Sequence, residues 1–286
     1  MVDVEIIQPE PQQIPELARI CFEAFKEIDD RHGFPPDLPH LEAATKIFNL
    51  LTSRSDYFVV AARVNGRLAG SSFMSLTSEI GGVGPVSVDP PLSGQGIGRR
   101  LMKAVLQQAQ DIGLAQVRLL QSTYNLRSLS LYSSLGFDVQ TAIGVMVAKP
   151  AANPDLSVRR AIPADLPALD VLCRRVWKVS RRNEIVAAFK YGFATFLRES
   201  AGRPIAYYVT GPFGHGVADQ PQDLLAIIGE AARHTSGEMV FLCPLTLGDL
   251  HRGTLQAGHR LRKLMVYMTL GPYSPPAGCW LPSISY

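Results

Sequence analysis

The sequence predicts an α/β protein of two tandem domains, each a mixed central sheet flanked by helices. Three observations predict it. Strand-like and helix-like runs alternate through the first 149 residues. A second set of runs then repeats landmarks of the first in the same order. The 286 residues, 47% of them hydrophobic, are enough to build two cores of ordinary size.

The first half reads as follows. Residues 12–27 place Ile14, Leu17, Ala18, Cys21, Phe22 and Phe25 at helical spacing, an amphipathic helix. Residues 41–52 repeat that pattern more weakly. Residues 57–64 are β-branched and aromatic, stop at Asn65-Gly66 and resume over 67–76, which predicts a hairpin. Residues 82–90 form another strand, with glycines and a proline that disturb its pairing. Residues 97–113 are a helix closed by Gly113, and 115–122 a strand. Residues 126–136 are a short helix closed by Gly136, and 137–149 strand material. The order is helix, helix, hairpin, strand, helix, strand, helix, strand. It suits a mixed sheet that is antiparallel at its start.

The second half echoes the first. Pro15 and Cys21 match Pro167 and Cys173 at an offset of 152 (167−15); Gly136 and Met146 match Gly258 and Met268 at 122 (258−136). Matches between them keep their order while the offset only shrinks, which chance does not readily produce. Residues 1–149 are therefore one domain, 150–155 a Pro/Ala/Asn linker and 156–286 a second domain. Seven positions (130−123) disappear from the second copy on or beside the segment that corresponds to 94–100. Residues 184–199 read as one helix carrying Phe189, Phe193 and Phe196, either packed in the core or forming a dry wall against the first domain.

Composition narrows the function. Net charge is +3 and the basic residues are scattered, so nucleic acid is not an expected partner. No run approaches the roughly 18 apolar residues of a membrane span, and the N-terminus lacks a signal pattern, so the expectation is a soluble cytoplasmic protein with no membrane partner. The four cysteines have no metal-ligand spacing, and no metal is expected.

The chemistry concentrates in "SVDPPLSGQGIGRRLM", residues 87–102. Gly94, Gly96 and Gly98 follow a strand and open a helix. Glycine lets a ligand approach the main chain, and the unpaired N–H groups of a first helical turn favour phosphate or pyrophosphate. Arg99 and Arg100 add formal charge there. A ligand-free tight turn is the plain alternative. A Walker A loop needs Gly-Lys-Ser/Thr, and a dinucleotide fingerprint needs a different glycine spacing; neither is present.

Ser93-Gly94-Gln95-Gly96-Ile97-Gly98 resembles the signature loop of the GNAT superfamily of acetyl-CoA-dependent acyltransferases, with Ser93 where the family usually has Gln or Arg. "NLRSLSLYSSLGF", residues 125–137, is similar to the family's downstream Asn, small-residue, Tyr and Gly-Phe pattern. The resemblance covers about residues 3–149, and through the repeat 156–271 in degenerate form. It implies two tandem GNAT-like domains, the second without a pyrophosphate loop, and acetyl-CoA (CoA) as cofactor. It implies main-chain groups of Val86, Ser87 and Val88 facing the pantetheine arm and carbonyl, and Gly94, Gln95, Gly96, Ile97, Gly98, Arg99 and Arg100 around the pyrophosphate. It implies Asn125 and Ser128 at the cofactor and Tyr132 as proton donor to the departing thiolate. A tyrosine packed on the sheet is the alternative for Tyr132.

Amine attack also needs a base. Glu79 is the candidate, against a solvated turn carboxylate. His32 with Asp29 and Asp30 lines an acceptor entrance or simply a polar loop. His251 and His259 read as structural or surface groups. The expected function is N-acetyltransfer from acetyl-CoA to a primary amine on a small molecule or peptide by a monomer or homodimer. A non-catalytic acyl-CoA sensor and a nucleotide-binding module are the alternatives.

Overall fold

The computed structural model describes residues 3–211 and 214–286. The chain divides into two compact units: Met1–Leu119 with Thr123–Asp138, and Leu120–Ser122 with Val139–Tyr286.

In unit 1, β1 (Val4–Ile7) is followed by α1 (Ile14–His32) and α2 (Leu41–Thr52). The hairpin β2 (Tyr57–Val64) and β3 (Arg67–Ser75) turns at Asn65 and Gly66, both at positive φ. Then come β4 (Ile80–Val88), α3 (Ile97–Asp111), β5 (Gln116–Ser122) and α4 (Leu126–Ser134). The strand order is β1-β2-β3-β4-β5, antiparallel except for the parallel pair β4 and β5. β1 was not expected. At four residues it shows no usable period, and only its pairing with the end of β2 makes it a strand.

Helix α1 buries Leu17, Ala18, Ile20 and Cys21 against the sheet. Its outer face is laced with i,i+3 and i,i+4 ion pairs, such as Arg19 with Glu16. Gly33, at φ 69°, caps it in the left-handed region. α2 inserts Phe48 edge-on to Phe73 of β3, ring centroids 4.8 Å apart. α3 buries Leu101, Met102 and Val105.

Unit 2 opens on β6 (Asp138–Val147), whose residues from Val139 on are grouped there. Then follow β7 (Val158–Arg160), α5 (Leu166–Trp177), α6 (Arg182–Tyr191), β8 (Thr195–Ser200), β9 (Arg203–Val209), β10 (Gly216–Ala218), α7 (Pro221–Arg233), β11 (Val240–Pro244), α8 (Gly248–Gln256), β12 (Arg260–Leu270) and β13 (Cys279–Leu281). The order from β7 to β12 is the order from β1 to β6. β6 lies between β12 and β11, and β13-β10-β9-β8-β7 form a five-stranded sheet.

Two expectations differ from this. Residues 184–199 are not one helix: α6 stops at Gly192, which takes φ 77°, and β8 then carries Phe196 opposite Tyr208 of β9. Residues 150–155 are not a free linker. Ala151 N–H donates to Gly229 O at 3.0 Å, and Arg233 donates to Ala151 O at 3.1 Å, so this segment lies on α7.

Candidate active site

β4 carries the local irregularity on which the site depends. Val86, Ser87 and Val88 pair with Ser72, Ser71 and Gly70 of β3, and a register shift falls between Ser72 and Met74. On its other edge β4 pairs in parallel with β5 from Ile80 opposite Gln116 to Val83 opposite Leu119, and among the described residues the pairing stops there. Residues 84–88 therefore turn one row of peptide groups away from any strand partner, and such groups seek an acceptor or donor elsewhere. The Ser87 hydroxyl is not part of that row. It is buried, 3.5 Å from the Ser71 hydroxyl and in contact with the Cys21 thiol, which burial pushes up to about 12. The Ser87 main chain is turned to β3 as well. Asp89 N–H donates to Ala69 O at 2.9 Å, and the pairing alternates through Gly70 opposite Val88 to Ser71 opposite Ser87. The peptide groups facing the open edge are therefore those of Val86 and Val88, which differs from the expectation for Ser87.

The β3 side of this segment is set by Gly70. Its φ is 155°, and a Cβ there would lie 2.3 Å from the Ser87 carbonyl oxygen. Only glycine lets the two backbones approach this closely.

The strand leads into the glycine loop. Gly94 and Gly96 adopt φ of 85° and 84°, and a Cβ at either would meet nothing within 4 Å. Gly96 begins α3 without a side-chain cap. The first helical bond runs from Arg100 N to Gly96 O at 3.2 Å, so the N–H groups of Ile97, Gly98 and Arg99 have no intrahelical acceptor. Ile97 is buried and anchors the turn, while Gln95 stays exposed. An open, amide-lined concavity at a helix start suits a diphosphate.

α4 runs beside this mouth. A Cβ on Gly98 would lie 3.4 Å from Leu131 of α4 and 3.6 Å from Val88 of β4, so the three elements converge. Asn125 caps α4, its side chain accepting from Ser128 N at 3.2 Å. Asn125 and Ser128 therefore have a structural job on this helix. Tyr132, one residue after Leu131, is buried. Burial pushes its phenol up to about 12, against the opposing hydrogen bond with Ser128, so Tyr132 keeps its proton at neutral pH.

The remaining predicted residues are spread more widely. Glu79 is exposed immediately before β4. Arg99 donates to Ser134 Oγ at 2.7 Å. Arg100 donates to the Val4 carbonyl at 3.2 Å and ties α3 to β1. Asp29 is buried, accepts from Asp37 N at 2.9 Å and from the Tyr124 hydroxyl. The Tyr124 ring stacks on Phe34 with centroids 4.5 Å apart and stands 5.1 Å from His32. Asp29 is thus a latch for the turn after α1, not a solvent-facing charge. His259 accepts from Lys149 N at 2.8 Å, and burial holds its imidazole down to about 4. It is a neutral structural group.

Two features have no counterpart in the sequence reading. Arg127 of α4 donates to the Ser93 hydroxyl at the start of the glycine loop. Unit 2 holds a buried polar cluster: Arg181 donates twice to Glu184, at 2.6 and 3.0 Å, and to Ser283 at 2.8 Å. His215 Nε2 lies 2.9 Å from the Tyr207 hydroxyl and its Nδ1 3.3 Å from Glu184. No motif spacing links these positions, so only the fold reveals them.

Among the described residues, unit 2 has no equivalent of the loop. β10 ends at Ala218 and α7 begins at Pro221, leaving two residues where unit 1 has eight between Val88 and Ile97.

Residues 15–137 match the model of the acetyltransferase (GNAT) family. A mycothiol acetyltransferase of Propionibacterium freudenreichii subsp. shermanii is 31% identical over 102 residues, 34% of this chain and 33% of that protein. A mycothiol acetyltransferase of Thermobifida fusca is 34% identical over 92 residues, 29% of this chain and 28% of that protein. The chain thus matches about a third of the length of these curated relatives. In fold it is similar to a candidate acetyltransferase from Pyrococcus horikoshii, with TM-score 0.80 and 15% identity over 99% of this chain and 95% of that one. It is also similar to a GCN5-related N-acetyltransferase from Sphaerobacter thermophilus, with TM-score 0.64 and 16% identity over 95% and 97%.

Proposed function

Taking residues 15–137 as a domain of the GNAT acetyltransferase family, we propose that the protein is an N-acetyltransferase moving an acetyl group from acetyl-CoA to a primary amine. The acceptor is a small molecule or a peptide. The observation that carries this reading is the β4 edge left open after Val83 beside a glycine-opened helix start.

Acetyl-CoA supplies, when bound, an acyl group activated as a thioester. The amides of residues 94–99 hold its diphosphate. The open edge of Val86 and Val88 holds the pantetheine amides and polarises the carbonyl through N–H groups fixed in advance. Tyr132 keeps a proton at its phenolic oxygen for the sulfur that leaves. Glu79 receives the proton of the incoming ammonium. Residues 80–83 separate it from the open edge by on the order of 13 Å along a strand, so that proton travels through water. Unit 2 is a degenerate second copy. The shared element order and the missing glycine loop support this.

The test is release of CoA thiol from acetyl-CoA with a panel of primary amines. Release that needs an amine, and that falls at least about a hundredfold in Tyr132→Phe while CoA affinity stays within about twofold, is the expected result. Binding of acetyl-CoA with no release under any amine favours the sensor instead. Unchanged turnover in Tyr132→Phe removes the tyrosine from the mechanism.

A further inference from the structure

Most arginines of this protein that make side-chain contacts meet carboxylates. Arg19 pairs with Glu16, Arg54 with Asp56, Arg159 with Asp165 and Arg175 with Asp219. The two at the glycine loop do not. Arg127 donates to the Ser93 hydroxyl and Arg99 to the Ser134 hydroxyl. Local sequence explains why: residues 90–137 contain Arg99, Arg100, Lys103, Arg118 and Arg127 but a single acid, Asp111. Asp111 is taken by Gln107 at the far end of α3.

The two bonds cross. α4 sends its first-turn guanidinium to the start of the loop, and α3 sends Arg99 to the end of α4. Both side chains lie at an exposed surface. A guanidinium on a neutral hydroxyl loses little on leaving it, and gains a charge-assisted, bidentate partner on meeting a phosphate. Arg100 is less free for this, since its guanidinium is turned to the Val4 carbonyl.

We propose that Arg127, from α4, is the side chain that grips the diphosphate at the glycine loop, exchanging the Ser93 hydroxyl for a phosphate oxygen. This rests on the CoA reading of the loop. It assigns to another helix the cation that position 93 does not supply, and the diphosphate is the phosphate nearest the bond Arg127 now makes.

The experiment is calorimetric titration of the full-length protein and of Arg127→Gln, Arg127→Lys and Arg127→Gln/Ser93→Arg with CoA, 3′-dephospho-CoA and inorganic pyrophosphate. Gln keeps a neutral donor on a shorter side chain, and thermal melts check whether the structural tie to Ser93 survives in it. Expected is a loss of about ten- to a hundredfold in affinity for all three probes in Arg127→Gln, a smaller loss in Arg127→Lys, and recovery with Ser93→Arg. The gap from the unsubstituted protein narrows as salt rises. Equal affinity of Arg127→Gln and the unsubstituted protein overturns the proposal. A loss confined to CoA and absent with dephospho-CoA moves the contact to the 3′-phosphate and overturns it as stated. Pyrophosphate binding that depends on Arg127, without CoA binding, keeps the proposal and removes the CoA reading; no binding of any probe removes both.

Discussion

At the scale of single residues, the site depends on a few backbone facts more than on side-chain chemistry. Gly70 is the sharpest case. Its missing side chain lets β3 approach the Ser87 carbonyl, where a Cβ would stand at 2.3 Å. Gly70→Ala forces β4 outward at the segment assigned to the pantetheine arm, and the neighbour in the way is backbone, which yields poorly. A loss of about 1–3 kcal/mol in stability is expected, with weaker CoA binding than the stability change alone explains. Thermal denaturation and CoA titration of Gly70→Ala check this, and a variant matching the unsubstituted protein in both denies that the approach matters. The sequence made the glycine loop and the short helix carrying Tyr132 legible as local structure because their residue types carry their own signal: glycines between a strand and a helix, and Gly136 closing residues 126–136. It left Arg127 and Gly70 unremarked, since each acts on a partner distant in sequence, Ser93 and Ser87.

At the scale of elements, agreement was close wherever a period was long and its ends were punctuated. The strand at 57–64, the hairpin at Asn65-Gly66 and the helix at 41–52 stand where the pattern put them. The failures have identifiable causes. β1 is too short to show a period and is defined by β2. Residues 184–199 imitate a helix because Phe189, Phe193 and Phe196 fall at spacings of four and three. Gly192 inside that run was the available stop signal, and its left-handed conformation ends α6. The opening of β4 is also an element-scale feature. Gly82, Gly84 and Pro85 hinted at disturbed pairing, but only the register with β5 locates where the strands part.

At the scale of the whole molecule, the sequence reading divides the chain after 149, whereas the compact units divide between Asp138 and Val139. β6 belongs to the first half in sequence, yet it pairs with β11 from Val240 opposite Val147 to Pro244 opposite Ile143, and its Met146 lies in a core with Ile227 and Phe241. Composition marks the Pro/Ala/Asn stretch at 150–155, whereas strand pairing decides which unit a strand joins. Unit 2 also carries a pH dependence. Burial holds His215 down to about 4, assisted by Arg181 and opposed by Glu184, and burial holds His259 down to about 4 as well. The unfolded chain binds these protons as pH falls through about 6.5, and the folded chain does not until about 4. Their contribution to stability is therefore complete above about pH 6.5 and is lost progressively down to about 4. Burial alone would raise Glu184, but Arg181 and His215 together outweigh it and hold it to about 2, so the loss from Glu184 begins only below its usual 4.5. The protein's two tryptophans, Trp177 and Trp280, both lie in unit 2 with ring centroids 5.0 Å apart. Tryptophan-monitored melts between pH 7 and pH 4.5 should show the midpoint falling by roughly 5 °C or more. A midpoint that holds or rises over that range contradicts the burial of neutral histidines.

The central claim is that the open edge of β4 and the amides at the start of α3 together hold an acyl-CoA. Hydrogen–deuterium exchange with and without acetyl-CoA tests it most directly. The account predicts slowed exchange in peptides spanning 84–88 and 94–99, with residues 214–233 unchanged. Protection confined to 214–233, or none at 84–88 and 94–99 under saturating acetyl-CoA, would contradict it.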